Sequence, residues 1–296
     1  MSEITLRQLQ YYVRVVEHGS VTAAAAACHL SQAAVSMAIS QLERSLETDL
    51  LIRSRSKRVA PTPAGREFAA HARAVLARVT EAEEAMAGRR DLMRGPLNIG
   101  FAQSISPRLM PLLAEHFTTR YPEVDLEFRE GAPSEIQDAV RDGHLDFALV
   151  YELQAAPDLT PVRLVDIHLH VMLPATHPLA GEPGIHLAQV IGEPAVLLDV
   201  PPTIERLTSL VSGIGLRMDV RWKSSNMETI RCMVARGLGY SLINSVPATG
   251  ATFDGRTVVY LPVLDAVQGN ALVGVLPSGH RPARRVQEAL DALRSA

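Results

Sequence analysis

Cysteine is nearly absent from this 296-residue chain. A disulfide framework or a tetrahedral zinc site needs more than the two thiols present, Cys28 and Cys232, so neither is indicated and a reducing compartment fits. Long apolar runs are absent too. No stretch approaches the ~20 apolar residues of a membrane span, and the opening MSEITLRQLQ carries charge where a secretory leader needs an apolar run. A soluble, cytoplasmic protein without a membrane partner is the expectation. Catalytic signatures are missing as well: there is no Gly-x-Ser-x-Gly elbow and no phosphate-binding loop. Gly237-Leu238-Gly239 lacks a third glycine and falls between a helix and a strand, the reverse of a dinucleotide fold. Asp166, His168 and His170 alternate along one expected strand, but no fourth ligand accompanies them. No metal, no cofactor and no catalytic residue are therefore expected, and the chain is not read as an enzyme.

What the chain does have is apolar content, 47 %, enough for a sizeable core, and a length that suggests two domains. Its net charge of −3 is unevenly divided. Residues 1–94 hold 13 Lys and Arg against 10 Asp and Glu, a net of +3, while the remainder holds 16 against 22, a net of −6. Arg53, Arg55, Lys57 and Arg58 crowd into six residues that contain no acid. Basic charge confined to one part of a chain is how a DNA-binding domain joined to an unrelated partner looks.

Leu6, Leu9, Val13 and Val16 recur three or four apart, which predicts a helix over residues 4–17 that ends at Gly19. Ser20 or Thr22 caps a second helix containing the run Ala23 to Ala27. Ser31 caps a third, Gln32 to about Leu46, whose inner stripe is Val35, Ile39, Leu42 and Leu46 and whose outer face carries Gln32, Ser36, Ser40 and Gln41. Two short helices joined by a tight turn, the second polar at its start, describe a helix-turn-helix whose second helix can enter the major groove. Residues 49–53 read as a strand, 53–58 as a basic hairpin tip and 59–60 as the return, which together make a wing suited to phosphates and the minor groove. Thr62-Pro63 then opens a long helix. Along it Phe68, Ala72, Val75, Val79, Ala82 and Met86 follow a 3.5-residue repeat, the spacing of a dimerisation seam.

The run from Leu6 to Gly65, LRQLQYYVRVVEHGSVTAAAAACHLSQAAVSMAISQLERSLETDLLIRSRSKRVAPTPAG, resembles the DNA-binding domain of LysR-type transcriptional regulators. Ser31-Gln32 with Ser36, the triplet Gln41-Leu42-Glu43 and Thr62-Pro63-Ala64-Gly65 carry the likeness. The resemblance implies that Gln32, Ala33, Ser36 and Met37 face the groove, with Arg53, Arg55 and Lys57 on the wing. It implies double-stranded promoter DNA and a small-molecule effector as partners, admits RNA polymerase as another, and implies a homodimer that pairs into a homotetramer. The sequence departs from the family at Ala33, where proline is usual, and at Met37, where arginine or lysine is common.

Beyond Gly95-Pro96 the pattern changes to strand, helix, strand, helix, strand: residues 97–101, a helix beginning near Ser104 to Ser106, 124–128, 135–140 and 147–150. That order predicts an open, mostly parallel α/β sheet. A second set runs from Ile167 through residues 187–190, 194–198, 204–214, 219–223, 227–235 and 240–243, and residues 281–294 form a closing helix. Tyr121-Pro122-Glu123-Val124, Gly143-His144-Leu145-Asp146, His177-Pro178-Leu179-Ala180 and Gly237-Leu238-Gly239 resemble landmarks of the same family. The likeness implies a periplasmic-binding-protein-like effector domain of two α/β subdomains joined by two crossing strands. The expected division is a winged helix-turn-helix at 1–61, a linker helix and hinge at 62–94, and an effector domain at 95–296. Subdomain I takes about 95–165 and 267–296, and subdomain II about 166–266.

Ligands of open α/β sheets sit at strand ends beside helix N-termini, where free N–H groups and the helix dipole favour an anion. The candidate effector residues are Ser104 and Ser106 in one subdomain and Pro202, Thr203, Ser225 and Asn226 in the other. Each is equally suited to plain helix capping. After Glu130-Gly131 the family often has serine or threonine, whereas this chain has Ala132-Pro133, so one common donor is missing. Two other classes fit the effector half alone, a solute-binding protein and an α/β enzyme, and the N-terminal unit argues against both.

Overall fold

A computed structural model describes residues 4–53, 59–86, 93–279 and 282–295. The chain begins with α1 (Leu6–His18), α2 (Val21–Ala27) and α3 (Gln32–Leu46). Each start is fixed by a side chain. Thr5 forms a reciprocal capping box with Gln8, Ser20 Oγ accepts from Ala23 N, and Ser31 Oγ accepts from Ala34 N. Gly19, at φ 58°, ends α1 in the left-handed region. A short antiparallel pair follows, β1 (Leu51–Arg53) with β2 (Val59–Pro61). Thr62 Oγ1, accepting from Gly65 N at 2.9 Å, then starts α4 (Pro63–Met86).

These pieces share one core. Tyr12, Val15, Ala24, Val35, Ile39 and Leu42 are buried together with Leu50 and with Ala69 from α4. The Tyr12 hydroxyl donates to Gly65 O at 2.9 Å and lies 3.4 Å from Leu50 O, so α1, the approach to β1 and the start of α4 meet at one atom. Glu43 Oε1 accepts from Leu50 N and Leu51 N, at 3.0 and 3.1 Å, which fixes the wing to α3. Leu6, assigned above to the inner stripe, is instead 43 % exposed. Tyr12 and Val15, absent from that stripe, are fully buried, because the inner face of α1 is rotated toward α2 and α3.

The rest of the chain forms two α/β units. In the first, β3 (Gly95–Ala102), β4 (Val124–Gly131), β5 (Phe147–Tyr151), β6 (Leu159–Ile167) and the late β12 (Asn270–Pro277) form one sheet ordered β4-β3-β5-β12-β6. It is covered by α5 (Ser106–Arg120), α6 (Pro133–Arg141) and α9 (Arg284–Arg294). The sheet is mixed rather than mostly parallel. β3 runs parallel to β4 and β5, but β12 is antiparallel to both β5 and β6. The reason is topological: the chain leaves through β6 and returns through β12, so the outgoing and returning strands run in opposite directions.

The second unit holds β7 (His170–Pro174), β8 (Pro194–Leu198), β9 (Asp219–Ser224), β10 (Ser241–Ile243) and β11 (Val258–Pro262), with α7 (Thr203–Gly213) and α8 (Met227–Ala235). β10, β7 and β11 pair antiparallel, β8 and β9 pair parallel, and a bridge from Ala195 to Tyr240 joins the two groups. That bridge explains Gly237-Leu238-Gly239. At Gly239, φ is 140° and an added Cβ would lie 1.9 Å from Pro194 O, so only glycine lets the strands meet. β6 ends at Ile167 and β7 begins at His170, so Asp166, His168 and His170 do not share one strand. Asp166 pairs with Arg163, and His170 Nδ1 lies 2.9 Å from His168 O.

The modules touch through α4. Arg73 Nη1 donates to Asp142 O at 3.1 Å and Arg73 Nε lies 3.7 Å from Glu17 of α1. At Gly143, φ 67°, a Cβ would come within 3.0 Å of Ala70 and Arg73, so the turn between α6 and β5 admits the helix only because it is glycine.

Candidate functional site

The first candidate surface is the outer face of α3. α2 and α3 meet at 110°, the angle of a helix-turn-helix. Val35, Ile39 and Leu42 pin α3 to the core, which turns the opposite face outward. Gln32 and Ala33 are exposed in its first turn, Ser36 is half-buried one turn on, and Met37 is 70 % exposed. These four residues therefore lie at the accessible, N-terminal end of the helix. Of the wing candidates, Arg53 ends β1. Its side chain, and Arg55 and Lys57 altogether, lie outside the described residues.

The seam on α4 divides in two. Phe68 packs edge-on against Tyr12 with ring centroids 5.4 Å apart, and Ala72 is buried against Leu9 and Val13. Both belong to contacts within the chain, contrary to the expectation that they face a partner. Val75 is 44 % exposed, Val79 half-buried and Ala82 exposed, so the accessible part of the stripe begins at Val75. The Met86 side chain lies outside the described residues.

The second candidate is a cleft between the two α/β units. A cavity of about 410 Å³ runs along α7 and is continuous in its lining with a smaller one of about 40 Å³. Ser104, Gln154, Leu198, Thr203 and Met227 line both. The small cavity collects the starts of four helices: Ser104 ahead of α5, Pro133 at the first position of α6, Thr203 at the first position of α7, and Ser225 and Met227 at α8. Three of these starts, α5 at Ile105, α6 at Ala132 and α7 at Pro202, have no side-chain cap on their first turn. Thr203 N already donates to Val200 O at 2.9 Å, so at α7 it is the next N–H groups, Ile204 and Glu205, that a ligand could meet. Beside Ser104 stands the Tyr151 phenol, which burial pushes up to about 12, with Ser104 and then Arg108 pulling the other way.

The other effector candidates have ordinary duties. Ser106 is buried and donates to Gln103 O at 3.2 Å, and Asn226 caps α8 by accepting from Thr229 N at 3.1 Å. Pro202 precedes α7 but lines neither cavity. Sequence reasoning missed Tyr151, Gln154 and the inner face of α7: Arg206, Leu207 and Leu210. The signal was present, since positions 203, 206, 207 and 210 fall on one side of a helix.

No aspartate or glutamate lines either cavity among the described residues, and the one charged side chain there is Arg206. Partial desolvation lowers its guanidinium from the usual arginine range, although the residue remains exposed at the cleft. The cleft thus combines hydrogen-bond donors, one cation and an apolar wall.

Comparison with known proteins agrees over both modules. Residues 6–66 match the model for bacterial regulatory helix-turn-helix proteins of the lysR family, and residues 90–296 match the LysR substrate binding domain. The chain is 27 % identical to a hydrogen peroxide-inducible genes activator of Dickeya chrysanthemi, over 98 % of this chain and 95 % of that one. Among solved structures it is similar to HinK, a LysR family transcriptional regulator from Pseudomonas aeruginosa, with TM-score 0.64, 29 % identity and coverage of 99 % and 98 %. It is also similar to a full-length OxyR variant from the same organism, with TM-score 0.76, 26 % identity and the same coverage.

Proposed function

Since the chain belongs to the LysR family of DNA-binding transcriptional regulators with an effector-binding domain, we propose that a small organic anion held between its two α/β units controls how it contacts promoter DNA. The observation that carries this reading is the convergence of helix starts from both units on one cavity. An anion there draws on N–H groups and hydroxyls from each side, so its binding free energy depends on how the units are posed. Differential affinity for two poses is what shifts an equilibrium between them. Through Arg73 and the turn at Asp142, a change of pose reaches α4 and with it α3. In a dimer joined along the exposed part of α4, that alters the spacing of two α3 helices across fixed half-sites. A tetramer and contact with RNA polymerase belong to the same reading, as does action in the cytoplasm, where the DNA is.

A thiol-based response to peroxide is the second reading, because one relative is named for peroxide induction. Thiol chemistry in this chain weighs against it. The effector half contains a single cysteine, Cys232, and the other thiol, Cys28, lies in the DNA module. A disulfide within the effector half therefore cannot form. Cys232 Sγ also donates to Glu228 Oε1 at 3.9 Å, so the thiol already has a partner within its own helix.

The test is a footprint across the chain's own promoter with and without effector, on wild type and on a Ser104→Ala, Thr203→Ala double variant. The variant should need more effector while its ligand-free affinity for DNA stays close to wild type. Gln32→Ala should cost roughly 1–3 kcal/mol on the specific site if it reads a base edge, with little change on random DNA. A bound cleft ligand that leaves footprint and transcription unchanged would remove the sensing half of the proposal and leave a DNA-binding protein.

A further inference from the structure

We propose that the cleft is built for an amphipathic monocarboxylate, an acid with one carboxylate and an elongated apolar body such as a medium-chain fatty acid. The inference rests on the effector reading above and sharpens it from charge to shape.

Four observations carry it. The first is charge at one end only, since the other polar residues of the lining, among them Ser209, Asn244, Ser245, Gln268 and Asn270, are uncharged. Ser104 and Thr203 stand where the helix starts converge, and Arg206 follows Thr203 by one turn on the same face of α7. The second is what lies beyond. Farther along α7, Leu207, Leu210 and Ile214 line the larger cavity, with Ile167, Leu169 and Val267 across from them. From residue 203 to 214 the helix rises ~16 Å, long for a short-chain acid. The third is the missing counter-charge. Without a lining aspartate or glutamate, the ammonium group of an amino acid or a polyamine has no partner, and burying it unpaired is costly. The fourth is the number of cations. A single arginine, joined by hydroxyls and helix starts, suits one carboxylate; a dicarboxylate would have to bury its second charge where no cation lines the wall. Among the described residues the exposed Arg206 side chain makes no hydrogen bond or ion pair, which leaves it available to a carboxylate.

The geometry also supplies a way to close the apolar end without damaging the fold. Gly213 lines the larger cavity at the last turn of α7, and a Cβ there meets nothing within 4 Å. A large side chain at that point has room to enter the cleft.

Isothermal titration of full-length protein decides the matter, with acetate, hexanoate, octanoate and decanoate below their micellar concentrations, and with decanol, decylamine and inorganic phosphate. Affinity should rise about fourfold per added methylene, the value of burying one CH₂. Decylamine and phosphate should not bind measurably. Arg206→Gln should weaken decanoate by about tenfold or more, the worth of a charge-assisted hydrogen bond, and leave decanol unchanged. Gly213→Phe and Leu210→Glu, two independent blocks, should weaken decanoate and decanol alike. A series flat in chain length overturns the proposal, as does equal binding of decylamine, or decanoate binding that both blocking variants leave intact. The effector reading fails separately. If a short hydrophilic acid binds and shifts the footprint, the amphipathic class is overturned and regulation stands. If decanoate binds as expected and no footprint changes, the cleft's chemistry stands and regulation by it falls.

Discussion

α3 and α7 are both short helices whose first turns lie at the candidate surface of their module, yet they begin in opposite ways. At α3 the Ser31 hydroxyl already occupies Ala34 N. The other helices of the DNA module are closed similarly, by Thr5, Ser20 and Thr62. At α7 the preceding residue is Pro202, which offers no side-chain cap, and α5 opposite it starts after Ile105 with none either. A capped start presents side chains to a partner, whereas an open start presents the backbone itself. The first arrangement can carry sequence information through Gln32 and Ser36. The second offers the N–H groups that follow Thr203, whose own N–H bonds Val200 O. These recognise charge and little else, which leaves selectivity to the apolar and uncharged polar side chains of the wall beside them.

The contrast implies that each module can be broken alone. At Gly65 an added Cβ would lie 2.0 Å from Leu50 O, and at Gly239 it would lie 1.9 Å from Pro194 O. Gly65→Val should cost about 3 kcal/mol or more in the DNA module and abolish specific DNA binding, while a cleft ligand still raises the melting temperature of the remainder. Gly239→Val should do the converse, and either variant losing both activities would mean the two modules fold as one unit. Val79→Asp places an unpaired charge in the exposed seam of α4. If that seam is a dimer contact, the substitution should weaken the dimer by about 3–5 kcal/mol, visible as monomers in sedimentation. An intact dimer at micromolar concentration would assign α4 another neighbour.

The capping difference itself predicts a pair of alanine effects. Ser31→Ala should lower the stability of the DNA module by about 1 kcal/mol, because it frees an N–H that had a partner. Thr203→Ala should leave stability unchanged and weaken ligand binding, since that hydroxyl caps nothing. Equal stability losses in the two variants would erase the distinction. The smallest expected effect is on pH. Burial, then the nearby Arg73, lower the His144 pKa from its ordinary value, with a smaller opposing pull from Asp142, a further push from Arg129 and an opposing one from Glu17. A histidine depressed in the folded state stays neutral there, so its contribution is intact above pH ~6.5 and declines as pH falls through that value. Thermal stability should therefore drop slightly below pH ~6.5, and His144→Gln should remove that part of the slope.

Legibility in the sequence followed the same division. Ser20, Ser31 and Thr62 marked helix starts in the DNA module because a capping hydroxyl at the edge of an apolar period is a local signal. Leu6 was misplaced because its spacing fits two stripes, and only packing against α2 and α3 selects the one through Tyr12 and Val15. In the effector half β3, β4 and β5 were readable, but β6, β7, β11 and β12 were not, since each depends on pairing with distant strands. Ser104 and Thr203 line the cleft whereas Ser106 and Asn226 make local hydrogen bonds instead, and the sequence could not separate them because a polar residue before a helix looks the same whether it caps or not. Arg206 went unread because it is an exposed arginine on a helix, and only its place beside the cleft sets it apart. Phe68 and Ala72 fit a heptad repeat, yet α1 of the same chain takes them first.

That last contact bears on protein engineering. Chain order suggests that the DNA reader could be cut free at Thr62, where the wing ends, and grafted onto a foreign sensor. Tyr12 would then lose Gly65 as the acceptor of its hydroxyl and Phe68 as its ring neighbour, and Leu9 and Val13 would lose their cover at Ala72. A transplant that keeps the reader whole must carry α4 through at least Ala72 and splice beyond it. The recipient must also bring a glycine turn like that at Gly143, or leave the transplanted helix no seat.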